Sequence, residues 1–153
     1  MSVAFRRESD EEHLEPRFEL PIPPGPNLVT ARGLQLIEAR VAALEAGRAG
    51  ADPEEAARIA RELRYWHTRR VTAEVVPPPD GDDAAFGSRV RFRLGGRERT
   101  VDLVGHDEAD PAHERIAITA PLARALLGAM AGERVAFGGR ADAIEVLAVG
   151  VIC

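Results

Sequence analysis

The 153-residue sequence contains no lysine: all 20 of its basic residues are arginine. This absence removes the lysine of a Walker A phosphate loop, a Schiff-base lysine and the lysine of a kinase site. Its one cysteine is the last residue, Cys153, so no intrachain disulfide can form and no thiolate zinc cluster is available. Aromatic residues make up 5% of the chain against 45% hydrophobic residues in all, which calls for a core built from Val, Leu, Ile and Ala. No stretch approaches the roughly 18 consecutive apolar residues of a membrane-spanning helix. The N-terminus is charged where a signal peptide needs an apolar run. Together these features predict a soluble, cytoplasmic protein with no membrane partner. The net charge of −5, from 20 basic and 25 acidic residues, argues against free-standing, non-specific binding of duplex nucleic acid.

The length holds one domain, or one small domain with an appendage. Residues 1–27 carry six acids (Glu8, Asp10, Glu11, Glu12, Glu15, Glu19) and the string "LPIPPGP". Such a charged, proline-rich segment has little to bury and reads as a flexible arm. Residues 28–76 read as a helical hairpin. Thr30 is placed to cap a first arm in which Leu34, Ile37, Val41 and Leu44 recur at helical spacing. "AGRAGADPEE" interrupts that pattern, and Asp52-Pro53-Glu54-Glu55 restarts it with a cap, a proline at the first helical position and a capping-box acid. The second arm carries Ala56, Ile59, Leu63, Trp66 and Arg70 on one stripe and is expected to run to about Val75. Two such arms with a short connection form an antiparallel pair.

Residues 77–84 ("PPPDGDD" and Ala84) read as a linker, and beyond them the period becomes two. Arg89 to Leu94 alternates polar and apolar, Gly95-Gly96 turns the chain, and Thr100–Val104 returns. A strand ending in Ile116–Ile118 precedes a short helix from Pro121 to Gly128. Val135–Phe137, a Gly138-Gly139 turn and Ile144–Val149 follow. Residues 85–153 are therefore expected to form a small antiparallel sheet domain with one covering helix, and the whole chain to be α+β.

Several clusters carry candidate chemistry. "HDEADPAH" (106–113) places His106, Asp107, Glu108, Asp110 and His113 close together, types that ligate metals. The same types are ordinary turn formers in a polar loop, and that reading is preferred. Arg89, Arg91 and Arg93 line one strand face, which suits a solvated sheet surface or a polyanion. Arg58, Arg61, Arg64 and Arg69 on the second arm, with Tyr65 and Trp66 among them, read as a basic helix face. That face is either solvated or meets RNA or an acidic protein wall. Asp52, Glu54 and Glu55 at the hairpin tip could chelate Mg²⁺ with a partner's carboxylates, but the capping box already explains two of the three. His67 has no Ser or Cys placed to use it, and the expectation is that the chain is not an enzyme and needs no cofactor.

The order of parts and five strings resemble the Gre family of bacterial transcript-cleavage factors, GreA and GreB. "LVTARG" (28–33) is similar to the opening of that family's first arm, and "RELRYWHTRRVTAEVV" (61–76) to the end of its second, the Arg64-Tyr65 pair leaning to GreB. "AFGSRV" (85–90), "VGHDEAD" (104–110) and "TAPLARALLG" (119–128) resemble signatures of its C-terminal domain. The resemblance implies an FKBP-like fold for residues 85–153 and bacterial RNA polymerase as partner. It further implies a docking corner at Thr119, Ala120 and Pro121, backed by Leu122 and Arg124, that grips the rim of the polymerase secondary channel.

One departure stands out. The family's acidic tip, of the type D-L-S-E-N-A-E-Y, is absent, and each arm is about two heptads shorter, which removes ~20 Å of reach. The first arm, Ala31 to Gly47, spans only ~25 Å. Metal coordination tolerates errors of only tenths of an ångström. The chain is therefore expected to be a monomeric regulator that inserts a short hairpin into the channel without stimulating cleavage, near nascent RNA only through the complex. Short-armed relatives such as the nucleoside diphosphate kinase regulator family resemble it in this respect. The alternatives are a working cleavage factor in which Asp52, Glu54 and Glu55 bring Mg²⁺ to the polymerase, and an FKBP-like prolyl isomerase or chaperone using Phe86, Phe92 and Phe137.

Overall fold

The computed structural model describes residues 19–152, so the arm ahead of Glu19 and the terminal Cys153 lie outside the described residues. The chain divides into two compact units, Met1–Gly25 with Ile37–Thr72, and Pro26–Leu36 with Ala73–Cys153. Among the described residues no helix is long and apolar enough to cross a membrane.

The first unit is built on two helices, α1 (Ala31–Arg48, from Ile37 onward) and α2 (Pro53–Thr72). Four residues separate them, Ala49 to Asp52, and so short a connection folds α2 back antiparallel to α1. Val41, Ile59 and Leu63 form the buried seam, with Leu44, Ala51 and Trp66 packed at its margin. The Arg40 guanidinium lies 5.4 Å from the centre of the Trp66 ring, close enough for a cation–π contact across the pair. Asp52 caps α2 through a 2.8 Å bond from the Glu55 N–H to its Oδ1. The return half of the capping box is not among the bonds Glu55 makes. Its carboxylate takes Arg58 one turn on instead.

The second arm does not run to Val75. α2 ends at Thr72, and Ala73–Val75 form a strand, β2, paired in parallel with β1 (Asn27–Val29). Val71, Thr72, Val75 and Val76 are β-branched, stiff in a helix and suited to a strand, and the following prolines forbid helix continuation. Asn27 and Val29 of β1 are buried.

The remainder of the second unit is a five-stranded sheet in the order β5-β4-β3-β7-β6: β3 Ser88–Leu94, β4 Arg97–Val104, β5 Arg115–Ala117, β6 Arg134–Phe137 and β7 Arg140–Val151. The sheet is mixed, not antiparallel as expected, because β5 runs parallel to β4. Between them His106–Glu108 and Pro111–His113 form short 3₁₀ turns, and Glu114, at φ +57°, reverses the chain into β5. Alternation in sequence marks a strand but carries no sign of its direction. The two Gly-Gly turns lie where expected: Gly95 and Gly96, at φ +60° and +79°, join β3 to β4, and Gly138 and Gly139 join β6 to β7.

The core lies on one face of this sheet. Val90, Phe92, Val101, Leu103, Ile144 and Val146 are sealed beneath α3 (Pro121–Leu126) through Ala123 and Leu126. Of the segment read as a linker, Asp83 bridges to Met130, and Ala84 is buried with both its backbone groups bonded to the Gly128–Ala129 strip. On the open face Arg89 forks onto Asp102 at 2.7 and 3.1 Å, Arg91 meets Glu98, and Arg93 reaches both Glu98 and Glu145. The strand arginines are thus largely answered by neighbouring acids, as a solvated face requires.

Candidate functional site

The corner at residues 119–124 is built by backbone bonds. Ile118 N–H donates to Val104 O at 2.8 Å, and Ala120 N–H to Ala117 O at 2.9 Å, closing a tight turn at the end of β5. Pro121 then opens α3 at the position where its missing N–H costs nothing. Arg124 N–H bonds Ala120 O at 2.9 Å, and the chain leaves the helix at Gly128, φ +84°. Ala123 and Leu126 anchor the helix to the sheet, while Ala120 and Leu122 pack half-buried at the core margin. Thr119, Pro121 and Arg124 face solvent. Of the five residues assigned to the corner, three are thus presented and two support them.

Leu127, missed in the sequence reading, extends this exposed face at 40% exposure. The signal was present for Leu127, which follows Arg124 by three residues and so shares its face.

At the hairpin tip Asp52, Glu54 and Glu55 are all exposed. Asp52 is engaged as the cap and Glu55 by Arg58, whose hydrogen bond holds the Glu55 carboxyl below its ordinary range. The basic face is smaller than expected. Arg58 is gripped by Glu55 and Glu62 of its own helix, and Arg64 by Glu19. Arg61 is half-buried, and Arg69 is only 3% exposed, with its guanidinium 6.0 Å from the Tyr65 ring centre. Arg69 therefore does not belong to an exposed face.

The "HDEADPAH" segment separates its side chains among different tasks. His113 Nδ1 pairs with Asp110 Oδ2 at 2.7 Å, a contact that lowers the Asp110 pKa, and His106 is exposed. Glu108 turns inward, 5% exposed, and accepts the Thr30 hydroxyl at 2.6 Å and an Arg32 N–H at 3.0 Å. Thr30 in turn caps α1, its Oγ1 receiving the Gly33 N–H at 2.9 Å. Among the described residues no group of three or more His, Cys, Asp or Glu side chains converges on a metal position. A cavity of about 270 Å³ beside Glu108 is walled by Val75, Val76, Pro77, Pro78, Val151 and Ile152. It draws on none of Phe86, Phe92 and Phe137: Phe92 is fully buried in the core and Phe137 packs against it, so these rings do not assemble the pocket a prolyl isomerase needs.

The described residues thus comprise a helical hairpin and a mixed-sheet domain whose proline-led corner exposes Thr119, Pro121 and Arg124. Residues 78–150 match the family described as "Transcription elongation factor, GreA/GreB, C-term". Transcription elongation factor GreB of Neisseria meningitidis serogroup A is 40% identical over 102 residues, 61% of this chain and 61% of that protein. Transcription elongation factor GreA of Rhizobium etli is 32% identical over 125 residues, 71% of this chain and 79% of the relative. Among solved structures, the GreA/GreB factor from Nitrosomonas europaea is 26% identical with a TM-score of 0.40, over 80% of this chain and 98% of that one. The chain belongs to the GreA/GreB family of transcription elongation factors. It matches the Neisseria GreB over less than two thirds of that protein's length.

Proposed function

We infer that this chain regulates transcription elongation by docking on bacterial RNA polymerase at the secondary channel and inserting a short hairpin, without stimulating transcript cleavage. It acts as a monomer through the face formed by Thr119, Pro121 and Arg124 and supported by Ala120 and Leu122. Nascent RNA comes near it only within that complex.

The observation that supports the missing activity is what the tip acids do. A cleavage-stimulating tip presents carboxylates to a metal that the polymerase holds, and those groups must be unengaged and within reach. Here Asp52 is spent on the helix cap and Glu55 on Arg58, which leaves exposed Glu54 as a single carboxylate where a chelating pair is needed. The helices, of 18 and 20 residues, extend only ~27 and ~30 Å. A regulator of this kind competes with true cleavage factors for the channel, or alters pausing and nucleotide entry.

The test is a transcript-cleavage assay on arrested elongation complexes with core polymerase. Added protein is expected to leave the rate of RNA hydrolysis unchanged while displacing an active cleavage factor. Faster hydrolysis, lost in the combined Asp52→Ala, Glu54→Ala and Glu55→Ala variant, overturns this reading and makes the protein a working cleavage factor that delivers Mg²⁺.

A further inference from the structure

We propose that the cavity beside Glu108 is a binding site for a small, uncharged molecule with an apolar body and a hydroxyl or amide N–H head. The site belongs to the second compact unit alone, which contributes every lining residue, and it stands apart from the polymerase reading.

The cavity measures about 270 Å³. That is the volume of about nine waters, just below the ~300–1,000 Å³ of pockets that take drug-sized ligands. Its wall suits an apolar body. Val75 and Val151 line it while 50% and 44% exposed, so a ligand that covers them removes apolar surface from water. The same wall is poor in donors. Pro77 and Pro78 have no N–H to offer. The Val76 N–H goes to Val29 O at 2.8 Å, that of Ile152 to Gly87 O at 3.3 Å, and that of Gly87 to Leu103 O at 2.8 Å.

The polar end selects the head. Glu108 lines the cavity with its side chain only 3% exposed, and each carboxylate oxygen accepts one bond, Oε1 from Thr30 and Oε2 from Arg32. A carboxylate offers about four acceptor sites, so capacity for a ligand's donor remains. An anionic head finds no comparable partner. The Arg32 guanidinium is committed to Glu108, and the positive end of α1, which also lies in the wall, has that carboxylate as its counter-charge. A cationic head has to compete with Arg32 for the same oxygens. A neutral donor leaves the ion pair in place.

The experiment titrates the full chain with three probes of similar shape and follows backbone amide shifts by NMR at neutral pH. Propylbenzene has no polar head, para-propylphenol adds a donor that stays neutral because phenols ionise near pH ~10, and para-propylbenzoate carries an anion. Saturable shifts are expected at Val76, Gly87 and Ile152. The phenol is expected to bind about tenfold more tightly than propylbenzene, the gain from one hydrogen bond to a charged acceptor. The benzoate is expected to bind at least tenfold more weakly than the phenol. Glu108→Gln is expected to reduce the phenol's advantage over propylbenzene to less than threefold. Val151→Glu changes an exposed side chain, so its thermal midpoint stays near that of the parent while phenol affinity falls at least tenfold. Absence of saturable shifts with the phenol, or shifts confined to residues away from the cavity, overturns the site. Undiminished phenol binding by a folded Val151→Glu variant does the same. A benzoate that binds as tightly as the phenol, or a phenol no tighter than propylbenzene, overturns the assigned ligand class.

Discussion

The carboxylate of Glu108 and the hydroxyl of Thr30 meet at 2.6 Å although 78 residues separate them. Thr30 is the cap of α1, and Glu108 ends the first 3₁₀ turn after β4, so one short bond ties the start of a helix to the sheet's connecting segment. Arg32 completes the arrangement at 3.0 Å, and Gly33 leaves the space it needs: a Cβ there would lie 2.9 Å from Glu108 Oε1.

Glu108→Ala is expected to cost about 2 kcal/mol in urea unfolding, from two hydrogen bonds to a charged group discounted for the partial exposure of Arg32. Gly33→Ala normally stabilises a helix interior by about 0.5–1 kcal/mol. Here it is expected to destabilise the native chain and to become stabilising once Glu108 is Ala. A double-mutant cycle reads this change of sign, and additive effects would separate the two residues.

Gly105 is more constrained still. A Cβ at this position would fall 2.2 Å from the Leu28 carbonyl oxygen, a backbone atom of β1 that cannot rotate away. Gly105→Ala is expected to lose about 3 kcal/mol or more of stability, at the upper end of overpacking costs, and its thermal midpoint is the simplest measure.

Docking and stability are expected to part company along α3. Pro121→Ala, Thr119→Arg and Leu127→Ser alter exposed side chains, so their thermal midpoints stay near that of the parent while capture of core RNA polymerase falls. Leu126→Ala, fully buried, does the reverse: it costs about 2–5 kcal/mol of stability. Undiminished capture by all three surface variants would remove this face from the proposal.

Acid is expected to weaken the second unit partly through Glu114. Its hydrogen bond with Arg99, whose guanidinium lies 2.8 Å from its carboxylate, lowers its pKa from 4.5. Because the folded value lies below the unfolded one, the pair's contribution is complete above about pH 4.5 and disappears as pH falls through the folded value. The pair is nearly half exposed, so its share is below about 1 kcal/mol. Glu114→Gln is expected to flatten unfolding midpoints measured from pH 5 down to pH 3 relative to the parent.

Helix and strand positions were legible wherever one face is buried along a whole element. The spacing of Ile37, Val41, Ile59 and Leu63 marked the hairpin seam, and the alternation from Arg89 to Leu94 marked β3. Arg69 was misplaced for a physical reason. It stands eleven residues from Arg58, about three helical turns, so the two share a phase. Burial here changes along the helix, whereas periodicity reports only what changes around it. The direction of β5 was hidden because pairing to β4 depends on two short turns and one left-handed residue, Glu114. The role of Glu108 was hidden in a run of polar turn formers, since its partners Thr30 and Arg32 lie far away in sequence.

The pairing of β1 with β2 has an evolutionary consequence. Val29 and Ala73 stand two positions apart on bonded neighbouring strands, so the stretch they enclose begins and ends within about 10 Å. A segment anchored in this way behaves as an exchangeable cassette. Its two helices can gain or lose matched turns over generations while the strands that receive them stay unaltered. Finger length thus becomes a trait that selection can tune without redesigning the strands that anchor it.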